Sequence, residues 1–449
     1  MSVTTSSMPS GVQVVQNLPW KWGVQGRIFI IGGLGFMFDA WDVTLNGALI
    51  PLIMQEWGLD RSTAALMSTS NLIGMAVGAF VWGTVADRIG RKAAFTWTLL
   101  IFSLFTVAGA FSPSFELFTL FRFIAGFGLG GCIPVDYALV GEFTPTKQRG
   151  KVMTAMDGWW PVGAALSFFV SAMVISLFDN WRFILLAMVL PALLVFWVRL
   201  HVPESPLFLI RKGQQAEARK VIDDLVARTG APQQEYTLPE SSSVPKLSAG
   251  SIGQQLAGIW KFNWRITAVA WSLFLTILLV YYLALTWMPS ILQQAGMAAN
   301  TSLFMTAIMA AVGMIGVVAA VAIEKVGRKR ILAITGPLSG LILVMVSLSL
   351  GTPTTAVIWL LVFGFVIQVC IPVLYAYVSE LYPTELRGSG FGWASTISRL
   401  GAGFGPVLFA LYWPVIGLPT LFLIATGLVV LAVIFMLIAA PETADQELE

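Results

Sequence analysis

The stretch CIPVDYALVGEFTPTKQRG at 132–150 returns 238 residues later as CIPVLYAYVSELYPTELRG at 370–388, with 12 of the 19 positions identical. Two further markers keep that spacing. DRIGRK from Asp87 matches EKVGRK from Glu324 at an offset of 237, and Pro51 against Pro289 restores 238. Three markers in register mean an internal duplication, so the chain reads as two homologous halves.

Outward from these markers the chain is 57% hydrophobic and only 11% charged over 449 residues, too little charge for an ordinary water-facing surface. Twelve apolar runs are long enough to cross a hydrocarbon core of ~30 Å as helices. They lie near 28–55, 64–86, 93–111, 115–141, 152–177, 182–199, 266–289, 302–323, 331–350, 354–379, 389–411 and 418–440. The expected fold is an all-α membrane protein with 12 transmembrane helices in two pseudo-symmetric six-helix bundles, 28–200 and 266–440. The expected remainder is a cytoplasmic tail over 1–27, a linker over 201–265 and a second tail over 441–449. Within the linker, apolar residues at helical spacing predict short amphipathic helices at the surface, followed by a flexible Pro, Ser and Gln-rich stretch.

Basic residues are retained on the cytoplasmic side during insertion. With both termini inside, 22 of the 26 Lys and Arg fall there, Lys92, Lys147 and Lys151 among them. Only Arg61 and Arg182 lie outside, while Arg122 and Arg399 lie within the membrane. The net charge of +3 therefore reports topology and predicts no nucleic-acid partner. The first helix is expected to direct insertion, with no cleavable signal, into a bacterial plasma membrane. Cys132 and Cys370 both fall in predicted spans and read as packing residues, and the sole histidine, His201, reads as a solvated loop residue. A His-based metal or catalytic centre is excluded, and no GxxxxGK[ST] is present. No cofactor is expected, and a proton gradient is left as the energy source.

GTVADRIGRK at 83–92, with its degenerate copy at 320–329, resembles the signature between helices two and three of the major facilitator superfamily. RFIAGFGLGG from Arg122 is similar to the helix-four motif of proton-linked members, while PESP from Pro203 and ELYPTELRG from Glu380 resemble sugar-porter signatures. The resemblance implies a gating charge network, here Asp87, Arg88, Arg91, Glu142, Arg149, Glu324, Arg328, Glu380 and Arg387; charges kept for topology alone are the alternative. A narrower similarity lies in FMFDAWDVTLNGALIP from Phe36, GGCIPVDYALVGEFTP from Gly130 and GSGFGWASTISRLGAGFGP from Gly388. These resemble bacterial niacin transporters and the neighbouring aromatic-acid/proton symporters, although Ala40 and Trp41 stand where the symporter motif has Gly and an aromatic.

An ionisable residue at mid-membrane costs ~2.5 to 3.5 kcal/mol, so each one is a functional candidate. Six fall in the predicted spans away from the interfaces: Asp39, Asp42, Arg122, Asp136, Asp157 and Arg399. Asp39 and Asp42 lie roughly 18 and 22 Å along helix one from Arg27, on one face. A buried carboxylate exchanges a proton, and a nearby guanidinium tunes its affinity. Asp42 with Arg122 is therefore the expected proton-coupling pair, and its position matches the proton site of the sugar porters it resembles. Asp39 is either a second proton site or a substrate contact. A fixed salt bridge between helices one and four is the structural alternative.

Arg399 lies roughly 16 Å into helix eleven, where topology alone would keep no basic residue. It is expected to bind a carboxylate, the alternative being an internal acidic partner. Trp41, Tyr281, Tyr282, Tyr375 and Trp393 are candidates for stacking on a ring, and Gln368 for a hydrogen bond. Asp136 and Asp157 are expected nearer the cytoplasmic face, in gating pairs with loop Arg or Lys. Glycines of helices four and eleven are expected where helices approach closely.

The reading that follows is proton-coupled uptake of a small aromatic or heteroaromatic carboxylate, nicotinate foremost, by a monomer in the bilayer. The alternatives are a sugar or polyol symporter, a proton-antiport exporter and a transport-dead binding protein. No enzyme is expected, because the intramembrane groups include no nucleophile and base arrangement.

Overall fold

The computed structural model describes residues 8–238, 249–323 and 326–443; Glu324 and the side chain of Cys132 lie outside the described residues. Lipid offers no hydrogen bonds to the backbone, so the apolar runs close their bonds internally as helices. In the first half these are α1 (Arg27–Trp57), α2 (Arg61–Ile89), α3 (Arg91–Gly109), α4 (Phe115–Phe143), α5 (Thr146–Asp157 and Trp159–Phe178) and α6 (Arg182–Leu186 and Val189–His201). In the second half they are α7 (Trp264–Gln294), α8 (Ala299–Ala322), α9 (Arg328–Leu348), α10 (Pro353–Glu380), α11 (Thr384–Ile416) and α12 (Leu418–Ala439). Among the described residues, 11 helical spans are long and apolar enough to cross a membrane, and α6 supplies a shorter apolar piece.

Prolines account for both interruptions. A proline lacks the N–H that the carbonyl four residues earlier would accept, and its ring crowds that carbonyl. For Pro191 that position is Ala187, where α6 breaks, and for Pro161 it is Asp157, where α5 breaks at Gly158. The second break places an acidic residue at a helix end in mid-bundle.

Two helices lie at the centre. α1 is buried without interruption from Gly35 to Ile50, and α7 from Val280 to Pro289. They touch through Gly47, where any Cβ would stand 2.0 Å from the Leu285 carbonyl oxygen. At this end, far from the termini, polar contacts also join the halves: Arg61 Nη2 donates to Gln294 Oε1 at 3.2 Å and lies over the Trp413 ring, and Asn300 Nδ2 donates to Ser176 at 3.3 Å.

At the end bearing the termini, the duplication is reproduced in geometry. Gly90 and Gly327, with φ of 102° and 107°, open α3 and α9 in a conformation that disfavours side chains. Arg91 N and Lys92 N donate to Glu204 Oε1 at 2.9 and 3.3 Å, and Arg328 N and Lys329 N donate to Glu442 at 2.9 and 3.1 Å. A carboxylate thus satisfies the free N–H groups of each helix start and faces its positive dipole end. On the same side, Gln215–Thr229 of the linker buries Ile222, Leu225 and Val226, and the short helix Gly11–Gln16 packs on it. Gly11 N donates to the Thr237 carbonyl at 2.8 Å, tying the N-terminal segment to the linker.

Candidate functional site: two polar clusters and an aromatic cavity

The first cluster depends on how closely α2 and α4 approach. A Cβ on Gly74, Gly78, Gly126 or Gly130 would stand 2.0 to 2.2 Å from a backbone oxygen of the opposite helix, so these positions let the two backbones touch. That contact sets Asn71 beside Arg122, whose carbonyl accepts from Asn71 Nδ2 at 3.1 Å. The Arg122 guanidinium then spends every donor inside the protein. Nη1 donates to Asp42 Oδ1 at 2.9 Å and to Thr106 at 3.1 Å, Nη2 to the Asp42 carbonyl at 2.9 Å and to Asn46 Oδ1 at 3.0 Å, and Nε to Asn46 Oδ1 at 3.2 Å. Thr106 donates in turn to Asp42 Oδ1 at 2.6 Å. Asp42 and Arg122 are both 0% exposed, and among the described residues Asp42 Oδ2 has no hydrogen bond. Sequence reasoning found the pair but missed Asn46, Thr106 and Asn71; the signal for Asn46 was its place one turn after Asp42 on the same face of α1.

Asp39 is equally buried and lies within electrostatic reach of Asp136 on α4. The Asp136 carboxylate points at α1, 3.0 Å from where a Gly35 Cβ would stand, and among the described residues neither of its oxygens has a hydrogen bond. Asp136 is therefore no gating partner for loop bases. It faces helix one from inside the bundle because the α4 face carrying it turns toward Gly32 and Gly35, which leave room for its approach.

Between the halves lies a narrow cavity, walled by Phe36 of α1, Asp157 and Trp160 of α5, Leu278, Tyr281 and Tyr282 of α7, and Gln368, Ile371, Pro372 and Tyr375 of α10. Its aromatic walls are braced by further rings: Phe36 packs edge-on to Tyr137 at 5.5 Å, and Tyr375 stacks on Phe274 at 5.3 Å. The Tyr281 hydroxyl accepts from Trp160 Nε1 at 3.1 Å and from Gln368 Nε2 at 2.8 Å. With both lone pairs occupied, its own O–H is free to donate. Arg399 of α11 is 5% exposed and lies within electrostatic reach of Tyr282 and Tyr375. Among the described residues its guanidinium has no ion pair and no hydrogen bond.

Asp157 also departs from expectation. It lines the cavity instead of pairing with loop bases, because the Pro161 break ends the helix there, and Tyr137 donates to its Oδ1. Tyr281, Tyr282, Gln368 and Tyr375 converge on the same cavity, and Trp160, Phe36 and Asp157 join them without having been picked from the sequence as ring contacts. Two candidates lie elsewhere. Trp41 packs against Phe38 at 6.0 Å, and Trp393 packs edge-on to Phe80 at 5.2 Å across the α2–α11 seam.

Among the described residues, the candidate gating residues other than Arg88 bond within their own half at the terminal end. Arg91 bridges Asp87 at 2.7 Å and Glu142 at 3.2 Å, and Arg328 bridges Glu380 at 3.3 Å. Arg387 Nε donates to the Ser379 carbonyl at 3.1 Å, and Arg149 Nη2 to the Thr144 carbonyl at 3.4 Å. Arg88, on the last turn of α2, is exposed at the same end. Glu204 and Glu442 were not singled out; their signal was a second Pro-Glu-Ser/Thr at 441–443, 238 residues after 203–205. Among the described residues no group of three or more His, Cys, Asp or Glu is placed to hold a metal.

Comparison with known proteins agrees with this architecture. The family model described as Major Facilitator Superfamily matches residues 32–406 and 323–448. A niacin transporter of Acinetobacter baylyi is 31% identical over 405 residues, covering 88% of this chain and 89% of its own. A 4-hydroxybenzoate transporter of the same organism is 30% identical over 386 residues, covering 85% and 83%. Among solved structures, the xylose transporter of E. coli in a partially occluded inward open conformation superposes with a TM-score of 0.75 at 19% identity, over 94% of this chain and 99% of that one.

Proposed function

The chain belongs to the Major Facilitator Superfamily and is a multi-pass membrane transporter rather than an enzyme, and from that premise we propose that it takes up a small aromatic or heteroaromatic monocarboxylate, nicotinate foremost, together with protons. The observation carrying this reading is Arg399: a buried guanidinium without an internal counter-charge among the described residues, beside a cavity walled by aromatic rings. A carboxylate offers it bidentate, charge-assisted hydrogen bonds, the Tyr281 hydroxyl adds a donor, and Tyr282, Tyr375 and Trp160 offer faces for the ring. Relatives named for niacin and 4-hydroxybenzoate support the same substrate class. A sugar has no charge for Arg399, which weighs against the sugar-porter reading.

Proton coupling is assigned to Asp42. Its Oδ2 is buried without a partner, so a proton arriving there meets no competing donor, and neutralising the carboxylate weakens its hold on Arg122. α1 carries Asp42 and also lines the cavity through Phe36, so a change at the pair reaches the binding wall along one helix. Asp39, facing Asp136, is the second proton-handling position. Polar bridges between halves at the far end, with the gating pairs at the terminal end each kept within one half, suit the conformer that exchanges substrate with the terminal side. Basic-residue bias supports reading that side as the cytoplasm, and a plasma-membrane monomer with no cofactor beyond the proton gradient belongs to the same proposal.

The test is uptake of radiolabelled nicotinate into proteoliposomes under an imposed inward proton gradient. Accumulation above a gradient-free control is expected, and Asp42→Asn is expected to abolish it while retaining exchange. Gradient-independent uptake would overturn the coupling assignment.

A further inference from the structure

The cavity holds a feature that carboxylate recognition by Arg399 does not use. Asp157 lines it, partly exposed to it, and is spoken for on one side only: Tyr137 donates to Oδ1, while among the described residues Oδ2 takes no hydrogen bond and the carboxylate has no ion pair. Tyr375 lies within electrostatic reach of both Asp157 and Arg399. A guanidinium and a carboxyl group therefore both lie near the same aromatic wall. Phe36, at 5.3 Å from the Trp160 ring, lines the same cavity as Asp157, so a ring seated there meets apolar faces and one acceptor.

We infer that Asp157 is a specificity-determining residue, selecting aromatic carboxylates that carry a hydrogen-bond donor on the ring away from the carboxylate: a hydroxyl, an amino group or a protonated ring nitrogen. This rests on the reading of the cavity as an aromatic-carboxylate site. A plain ring placed against Oδ2 strips a carboxylate of water without replacing the lost hydrogen bond, whereas a ring-borne O–H or N–H replaces it with a charge-assisted one. Discrimination of this kind is large because the unpaired polar group belongs to the protein and cannot leave. Tyr137 fixes which oxygen is presented, because the hydrogen bond to Oδ1 leaves Oδ2 for the cavity.

The experiment measures binding of benzoate, 3-hydroxybenzoate and 4-hydroxybenzoate to the purified full chain by calorimetry. Wild type is expected to prefer at least one hydroxybenzoate over benzoate by about tenfold or more, the usual size of a charge-assisted hydrogen bond. In Asp157→Ala, which removes both oxygens, the ratio is expected to fall to about one; in Asp157→Asn, Tyr137 still engages Oδ1 and the amide N–H₂ facing the cavity offers the hydroxyl only a neutral hydrogen bond, so the ratio is expected to fall several-fold. A ratio near one in wild type, or an unchanged ratio in both variants, overturns the assignment of Asp157 and leaves the carboxylate site standing. If none of the three acids binds wild type, the carboxylate site itself falls, and this inference with it.

Discussion

Arg122 and Arg399 each bring a guanidinium into the bundle, 0% and 5% exposed, and the protein treats them in opposite ways. Around Arg122 every N–H has an acceptor, supplied by Asp42, Asn46 and Thr106 from two neighbouring helices. Around Arg399 the described residues offer tyrosine rings and a cavity, and no ion pair. The first arrangement is complete without a ligand, so its energy belongs to the fold and to whatever proton reaches Asp42. In the second, the described residues give a buried charge no ion pair, so on the proposed reading its energy is available for binding an anion. One half of the duplication holds the finished pair and the other the unfinished one.

The largest effect that would break this contrast concerns stability. Arg122→Ala leaves Asp42 buried without its counter-charge, which costs ~3 to 5 kcal/mol for a buried pair. A steep drop in the thermal unfolding midpoint in detergent is expected, partly recovered by adding Asp42→Asn; an unchanged midpoint would mean the pair is not structural. Arg399→Ala is expected to leave that midpoint at or above wild type while weakening carboxylate binding about ten- to a hundredfold, the range for hydrogen bonds to a charged group. A loss of stability like that of Arg122→Ala would show that Arg399 also has an internal partner.

Smaller effects sharpen the comparison by testing whether the halves differ only in the interior. Glu204→Gln and Glu442→Gln weaken matched helix starts, and each is expected to cost ~1 kcal/mol, the size of a helix cap, by an equal amount within error in thermal unfolding. A large inequality would show that the terminal ends are not equivalent. Least of all is expected from Asp60, the exposed cap of α2, whose carboxyl is held down at about 2 by hydrogen bonds from Ser62 and Thr63. A depressed folded value means its contribution is present above the ordinary 3.8 and is lost as pH falls toward about 2. Unfolding of Asp60→Ala is therefore expected to converge on wild type across that window, and a gap that persists below it would assign the cap's effect to something other than charge.

The duplication made the two bundles legible, since repeated words at a fixed offset survive without any structure. The Asp42–Arg122 pair was legible for a related reason: ionised groups in lipid are costly and must find each other. Depth along a helix was the weaker guide. Asp136 and Asp157 were read by distance from a loop, but the direction each side chain points was decided by Gly32 and Gly35 opening a face of α1 and by Pro161 ending a helix at Asp157. The aromatics divided for the same reason: Tyr281, Tyr282 and Tyr375 face the cavity while Trp41 and Trp393 pack between helices, a choice of helix face that one chain's spacing does not reveal. Glu204 and Glu442 stood in the sequence as a fourth repeat marker, hidden by its shortness.

The central claim, that the unpartnered guanidinium beside the aromatic cavity awaits a carboxylate, is tested most directly by titrating the purified protein with nicotinate and with its uncharged amide. The account predicts that nicotinate binds wild type at least ~tenfold more tightly than nicotinamide, a difference of ~1.4 kcal/mol, and that the gap closes in Arg399→Ala. Equal affinity for the acid and the amide in wild type would contradict it.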